Sequence, residues 1–293
     1  MKPITKQSDK KTAFTIIELL TVMSIIVILI GLLVPSLNMV KRYAKEVKQR
    51  AQFHSIESAL EFFSGDSEYG RYPPSGALDE ANVDYCGAMK LCEAMVGQDL
   101  AGFHPWSLFR ADCTDGTNKL YSNNPLGFAL FPNEADNLKA RKGPYLQDNA
   151  NAYRVGQLYP TQATFYTNLF VLCDVYNRVR NVETGKGVGM PILYYKANTS
   201  NTIHDPNGTT GFPIVGDNKG YIYNYTDNDE LVALGPTGVT HPISTPKTFY
   251  EITKDDRVSI KTGWPHKPDS YILISAGFDG IYGTNDDIFN FEK

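Results

Sequence analysis

The chain has few residues, and no sequence motif, of the kinds that identify an enzyme. Its 293 residues include only four cysteines and five histidines. No Gly-x-Ser-x-Gly or His-Glu-x-x-His motif occurs, and ETGKGVG at 183–189 lacks the first glycine and the final Ser or Thr of a phosphate-binding loop. Neither Cys-x-x-Cys nor a spaced histidine pair supports zinc. We therefore expect a protein without enzymatic activity.

An excess of basic charge is also missing from most of the chain. The formal net charge is −4; residues 1–13 carry +3, Glu18 carries −1 and residues 41–50 carry +4, which leaves about −10 for residues 51–293. Proteins that bind nucleic acid without sequence preference need a basic surface. The acidic balance therefore predicts no nucleic-acid partner.

One long hydrophobic run is present near the N-terminus. It extends from Phe14 to Val34, and Glu18 is its only charged residue. At about 1.5 Å rise per residue, a helix of this length covers roughly the 30 Å hydrocarbon core of a bilayer. Four lysines and one aspartate precede it, and positively charged flanks stay in the cytoplasm. The run is too long for an ordinary cleaved signal, so it predicts a retained single span with the rest of the chain outside.

The helix is expected to continue beyond the span. Pro35 removes the backbone donor that would bond the Gly31 carbonyl, which makes this turn soft, although an ordinary proline kink is the alternative. Apolar residues at spacings of three and four predict an amphipathic helix over 36–64. Basic side chains near its start could contact anionic lipid or acidic neighbours, or could simply be solvated: Lys41, Arg42, Lys45, Lys48 and Arg50.

The N-terminal segment resembles a known family. The sequence AFTIIELLTVMSIIVILIGLLVPSL at 13–37 is similar to the N-terminus of type IV prepilins and type II secretion pseudopilins. The resemblance implies that a prepilin peptidase cuts between Ala13 and Phe14 and methylates the new amine of Phe14. Phe14, Glu18 and Pro35 stand at the family's positions. Ala13 replaces the usual glycine, a change that we expect to slow processing or to require a tolerant peptidase.

The resemblance also implies a role for Glu18 in assembly. A carboxylate within the hydrocarbon region is costly, and so is the ammonium that cleavage would create on Phe14. Two subunits staggered along a filament could pair these groups. The alternative is a single-pass anchor with an accidental glutamate at its interfacial end.

The implied fold is α+β and type IV pilin-like. A long N-terminal helix, half transmembrane and half packed, would lie against an antiparallel β-sheet head with insertions. The predicted parts are a cytoplasmic leader over 1–13, a span over 14–35, an amphipathic helix over 36–64 and a head over 65–293. Within the head, the sequence favours a helix from Tyr85 to Val96 and strands over 190–198 and 270–278, whereas residues 158–179 fit a helix or a strand.

A glycine-rich acidic loop follows the last predicted strand. Asp279, Asp286 and Asp287 are close enough along the chain to offer oxygen ligands to one cation, although the spacing is not that of an EF-hand. The loop resembles the C-terminal calcium loop of major pseudopilins. This implies calcium on Asp279 and Asp287, then Asp286, with carbonyls near Ser275 or Ile281. A solvated acidic turn is the alternative.

The four cysteines all fall in the predicted outward-facing head. Cys86, Cys92, Cys113 and Cys173 are even in number, as expected for disulfides in an oxidising compartment. Cys86 and Cys92 lie six apart on one predicted helix, a poor geometry for a mutual bridge, so the other two could partner them. Zinc and reduced, buried thiols stay open.

These observations lead to three functional hypotheses. The first is a structural subunit of a type II secretion pseudopilus or related filament in the bacterial inner membrane. Its partners would be similar subunits, a prepilin peptidase, the inner-membrane assembly platform and membrane lipid. The second is a type IV pilus or competence pilin. The third is a membrane-anchored enzyme or binding protein with a borrowed pilin-type anchor.

Overall fold

The computed structural model describes residues 15–66, 70–122, 133–146, 151–160, 167–217, 219–234, 239–258 and 263–292. Within them, the helices are α1 Ile16–Asp66, α2 Gly87–Val96, α3 Glu134–Ala140, α4 Val155–Leu158, α5 Asp229–Val232 and α6 Pro246–Ile252. The strands are β1 Ala152–Arg154, β2 Phe170–Leu172, β3 Val179–Arg180, β4 Gly187–Val188, β5 Leu193–Lys196, β6 Tyr271–Ser275 and β7 Ile288–Phe289. The chain forms two compact units, Met1–Ala44 and Lys45–Lys293, and the second is called the head below.

The described part of the first unit is helical. Its residues 15–44 are all exposed, including the run of large apolar side chains that the sequence placed in a membrane. By length and composition, α1 could cross a membrane as a span or a signal anchor. The helix continues through Pro35, so the soft turn predicted at Gly31 and Pro35 does not end it.

The head begins with the second half of α1, which packs by one face. Its buried side chains recur every three or four residues, which confirms the amphipathic pattern for the second part of the predicted range: Gln49, Phe53, Ile56, Ala59, Leu60 and Phe63. The prediction began at residue 36, whereas residues 36–48 are exposed or half-buried. Two glutamines add polar contacts on this face. The Val175 amide donates to Gln49 Oε1 at 3.1 Å, and Gln52 Nε2 donates to the Cys173 carbonyl at 2.9 Å. Half of a long helix is therefore fixed to the head by apolar and polar contacts together.

Three small antiparallel sheets complete the α+β architecture of the described residues. β1 pairs with β2, β3 pairs with β4, and β5–β6–β7 form a three-stranded sheet. In the last sheet, Leu193 pairs with Ile274 and Tyr195 with Ile272. Both predicted strands are confirmed, each over the centre of its predicted range, because β-branched and aromatic residues there are buried against the core.

Helix α2 is buried along its whole length, and its start lies against the sheet. A side chain at Gly87 would place its Cβ 2.2 Å from the Tyr194 carbonyl oxygen, so only glycine allows this approach. Lys90 lies in the core because its ammonium donates to the carbonyls of Gly76 and Leu78 at 2.7 and 2.9 Å. The helix predicted from Tyr85 begins two residues later and ends as expected at Val96.

The segment over 158–179, which fits a helix or a strand, is a strand in its central part. β2 covers Phe170–Leu172 and is fully buried, while residues 161–166 lie outside the described part. Its pairing with β1 and its contact with α2 place it in the main core of the head. That core is one cluster of buried apolar side chains running from α1 to β7.

Candidate functional site

The first candidate site is the start of α1. Ala13 and Phe14, the predicted processing residues, lie outside the described part of the chain. Glu18 lies in the first turn and bonds with Thr15. The Thr15 amide and hydroxyl donate to Glu18 Oε2 at 2.9 and 2.8 Å, and the Glu18 amide donates to Thr15 Oγ1 at 3.3 Å. This reciprocal arrangement is a capping box, which satisfies amides that have no partner within the helix.

The capping box gives Glu18 a local role that the assembly hypothesis did not include. A carboxylate in the first turn also interacts favourably with the helix dipole. The pattern Thr-x-x-Glu before an apolar run could have predicted this contact from sequence. Both bonds from Thr15 go to Oε2, so the second carboxylate oxygen, Oε1, is not used by the cap.

The second candidate site is the loop between β6 and β7. The Asp279 amide donates to Asp286 Oδ2 at 2.8 Å, and the Thr284 hydroxyl donates to Asp286 Oδ1 at 2.7 Å. Asp287 is directed elsewhere, since its Oδ2 accepts from the Gly283 amide at 2.6 Å. At Gly277, with φ +64°, a Cβ would lie 2.0 Å from the Asp286 carbonyl oxygen, so glycine is required for this turn.

Two carboxyl groups of this loop interact and shift each other's pKa. Burial raises the pKa of Asp279, and a hydrogen bond with Asp286 raises it further. Burial opposes ionisation of Asp286 as well, but hydrogen bonds from Thr284 and Asp279 outweigh it and lower the pKa of Asp286. The pKa values of the two carboxyl groups are therefore shifted in opposite directions, with that of Asp279 the higher.

This loop meets only part of what a calcium site needs. Asp279 and Asp286 are brought together, as the sequence predicted, and both are oxygen donors of the kind that calcium prefers. Asp287 does not complete the set: in the described part of the chain, no three His, Cys, Asp or Glu side chains are grouped so as to hold a metal ion. Calcium binding here stays a prediction.

The four cysteines are free thiols, and all of them are buried. Burial raises the pKa of the Cys86 thiol to about 11, and it raises the pKa of Cys92, Cys113 and Cys173 as well. Of the states that the sequence left open, the structure therefore has reduced, buried thiols. A high pKa keeps a thiol protonated and unreactive, which suits a packing role.

A buried polar cluster in the head was not anticipated from the sequence. Glu93 on α2 is 1% exposed and accepts hydrogen bonds from the hydroxyls of Tyr85 and Ser107. Burial raises the pKa of Glu93 despite these donors. Gln98 extends the cluster by donating to the Tyr85 hydroxyl at 2.9 Å. Every partner is a core residue, so the cluster stabilises the packing of α2.

The head also contains a large cleft beside the loop that follows α1. Its volume is about 960 Å³, and the residues that line it include Arg71, Tyr72 and Lys196. The sequence offered no motif for it, because its walls come from segments more than 100 residues apart.

Comparison with known proteins adds no relative to this description. No family model matches the chain, and no curated protein and no solved structure is similar to it. The resemblance to prepilins and pseudopilins therefore rests on the N-terminal segment and the C-terminal acidic loop, and the fold and the sites rest on the geometry described above.

Proposed function

We propose that this chain is a pilin-like structural subunit, specifically a pseudopilin of a type II secretion pseudopilus or a related filament. The observation that carries the proposal is α1: its first half exposes apolar side chains on every side, while its second half packs on the head by one face. A helix that is apolar all round needs lipid or similar helices around it. A filament subunit is surrounded by each in turn: by lipid before assembly and by neighbouring helices after it.

Glu18 supports assembly rather than simple anchoring. An acidic residue within an apolar span is costly in lipid and marks function by default. In a filament, the Phe14 amine of a neighbouring subunit would pair with it once Ala13 has been removed. Glu18 would then fix the axial offset between subunits, which a plain anchor does not need.

The proposal is tested by the mass of the protein purified from membranes of a host that contains a prepilin peptidase. We expect a chain that begins at Phe14 and carries one extra methyl group. A matched Ala13→Gly variant should be processed at least as completely, because glycine is the usual residue at this position. An intact Met1, or a cut elsewhere in both proteins, would contradict the proposal.

Secretion and pilus functions are separated by the phenotype of a deletion strain. For a pseudopilin, we expect secreted enzymes to accumulate inside the cell while twitching and DNA uptake continue. Loss of twitching or DNA uptake with normal secretion would favour the second candidate, a type IV pilus or competence pilin. The acidic balance of the head supports secretion, since DNA uptake calls for a basic surface.

We further propose that the loop after β6 binds calcium through Asp279 and Asp286. A divalent cation beside these carboxyl groups would favour the ionised form of both. Saturating calcium should raise the melting temperature of the protein, and Asp279→Ala should abolish the rise. Asp217→Ala is the matched control, because Asp217 is a loop aspartate outside this site. An unchanged melting temperature of the parent protein with calcium would refute the site.

A further inference from the structure

The segment that follows β2, residues 173–178, contacts both α1 and the loop between β6 and β7. It is called the bridging segment below. On the side of α1, the Val175 amide donates to Gln49 Oε1 at 3.1 Å. On the side of the loop, the guanidinium carbon of Arg178 lies 4.3 Å from the ring centroid of Phe278. The bridging segment is therefore a support for the loop that is itself fixed to the long helix.

Asp174 is the buried carboxylate of the bridging segment, with 1% of its surface exposed. Its Oδ1 accepts from the amides of Tyr176 and Met190 at 3.0 and 3.1 Å, which fixes the orientation of the carboxylate. Its Oδ2 accepts from the hydroxyl of Ser275 at 2.8 Å. Ser275 is the last residue of β6, so Asp174 bonds to the chain at the point where the acidic loop begins.

From Ser275 the contacts continue to the acidic residues of the loop. The Gly277 amide donates to Ser275 Oγ at 3.3 Å. Gly277 lies close to the backbone of Asp286, and Asp286 Oδ2 accepts from the Asp279 amide at 2.8 Å. The Ser275 hydroxyl can donate one proton. Because that proton goes to Asp174, an oxygen lone pair is directed to the Gly277 amide.

We propose that Asp174 is a positioning residue for this loop, and that it holds Asp286 beside Asp279 through Ser275 and Gly277. The role requires no contact between Asp174 and a cation. It applies to the loop with or without calcium, and only its effect on calcium affinity rests on the proposed calcium site.

The first test is hydrogen exchange of the Asp279 amide, measured by NMR on the full-length protein in detergent micelles without calcium. The measurement is made at pH 7.5, where Asp174 is ionised, since burial raises its pKa to about 6. Ser275→Ala removes the hydroxyl, so we expect this amide to exchange at least about tenfold faster through local opening of the loop.

A second variant assigns the effect to Asp174 itself. Asp174→Asn can still accept from the amides of Tyr176 and Met190 through its oxygen, but it presents an N–H donor to Ser275. The Ser275 hydroxyl then loses its acceptor, and we expect the Asp279 amide to exchange about threefold faster or more.

Thr253→Val is the matched control, because it removes another buried hydroxyl from the head. Thr253 is 0% exposed, and its hydroxyl donates to the Phe249 carbonyl at 2.7 Å. Within the described part of the chain, the hydrogen bonds of Thr253 involve no residue of the acidic loop. This variant should leave the Asp279 exchange rate within about twofold of the parent rate. An unchanged rate in Asp174→Asn, or an equal acceleration in Thr253→Val, overturns the role of Asp174.

Calorimetric titration with calcium chloride separates this role from the calcium site. If the parent protein binds calcium, Ser275→Ala should bind it about fivefold more weakly or less tightly still, while Thr253→Val binds it normally. Ser275→Ala changes no charge, so its loss of affinity reports the position of the ligands. Absent binding in the parent refutes the calcium site, and amide exchange alone then decides the role of Asp174. Equal calcium affinity of the parent and Ser275→Ala overturns that role.

Discussion

Glu18 has a capping role within its own helix and a proposed role between subunits. The cap uses Oε2, which receives both the amide and the hydroxyl of Thr15. A neighbouring ammonium could therefore bond to Oε1 without breaking the cap. The capping box would then hold the carboxylate in one orientation, which lowers the entropy lost when the ion pair forms.

Substitution can separate the charge of Glu18 from its capping oxygen. Glu18→Gln keeps an oxygen for Thr15 but removes the charge, so we expect at least about tenfold less subunit in sheared filaments, equivalent to about 1.4 kcal/mol per contact. Thr15→Val is the matched control, since it removes the hydroxyl cap and keeps the charge. It should change incorporation by about twofold or less. Similar losses in both variants would show that the cap, and not the charge, supports assembly.

Asp227 is a buried acid whose protonation should affect stability. Burial raises its pKa to about 6, although the Ser75 hydroxyl and the Lys90 charge act against this. The folded state therefore binds its proton more tightly than the unfolded state does. Its contribution to stability is fully present below about pH 4 and is lost as pH rises through 6.

Asp227→Asn should remove this pH dependence, because asparagine stays neutral and can still accept from Ser75. Relative to the parent, we expect the free energy of unfolding of the variant to rise by about 2 kcal/mol between pH 4.5 and pH 7.5, from a pKa shift of about two units. Urea unfolding in detergent at both pH values measures it. Buried histidines contribute equally to the pH dependence of stability in both proteins, so their contribution cancels in the difference. If the free energies of unfolding of the two proteins differed by the same amount at pH 4.5 and pH 7.5, the pKa of Asp227 would not be raised.

At the scale of elements, α1 offers a matched pair of phenylalanines in adjacent positions. Phe63 is 0% exposed and packs edge-on against Phe103 and Tyr145 at 5.0 and 5.9 Å between ring centroids, whereas Phe62 is 69% exposed. Phe63→Ala should lower the free energy of unfolding by about 3 to 5 kcal/mol through loss of burial and a residual cavity. Phe62→Ala should change it by about 0.5 kcal/mol or less. Equal effects in urea unfolding would mean that α1 packs by a different face.

The elements differ in how far the sequence determines them. α1 could be predicted from its long apolar run and the spacing of apolar residues that follows it, and β6 from a run of β-branched and aromatic residues bounded by turn residues. β2 could not, since three residues are too few for a pattern, and its strand conformation depends on pairing with β1. Lys90 is a similar case: the carbonyls that allow its burial are 12 and 14 residues away.

The candidate sites show the same limit. Asp279 and Asp286 lie in one short loop, so their proximity followed from the sequence, while the orientation of Asp287 depends on the local turn at Gly283. The cleft at Arg71 and Lys196 joins segments distant in the chain, and no local pattern predicts such a meeting.

At the scale of the whole molecule, the apolar run has a basic segment on each side. Residues 1–13 contain four lysines, and residues 41–50 contain five basic side chains, so the two flanks are nearly balanced by count. The flank that is followed by a large domain tends to be translocated regardless of its charge. We therefore infer that the leader lysines hold the N-terminus in the cytoplasm, where a prepilin peptidase would need it.

Changing each flank separately tests this orientation. Replacing Lys6, Lys10 and Lys11 by Gln leaves one lysine in the leader, so we expect a smaller fraction of chains to expose the head to protease added outside spheroplasts. Replacing Lys41, Arg42 and Lys48 by Gln removes the same charge from the other flank and should leave that fraction unchanged or raise it. Both proteins should remain in the membrane after alkaline extraction, because the apolar run is intact. If the head of the parent protein were protected from the added protease, the head would face the cytoplasm, and a filament subunit processed at Phe14 would be ruled out.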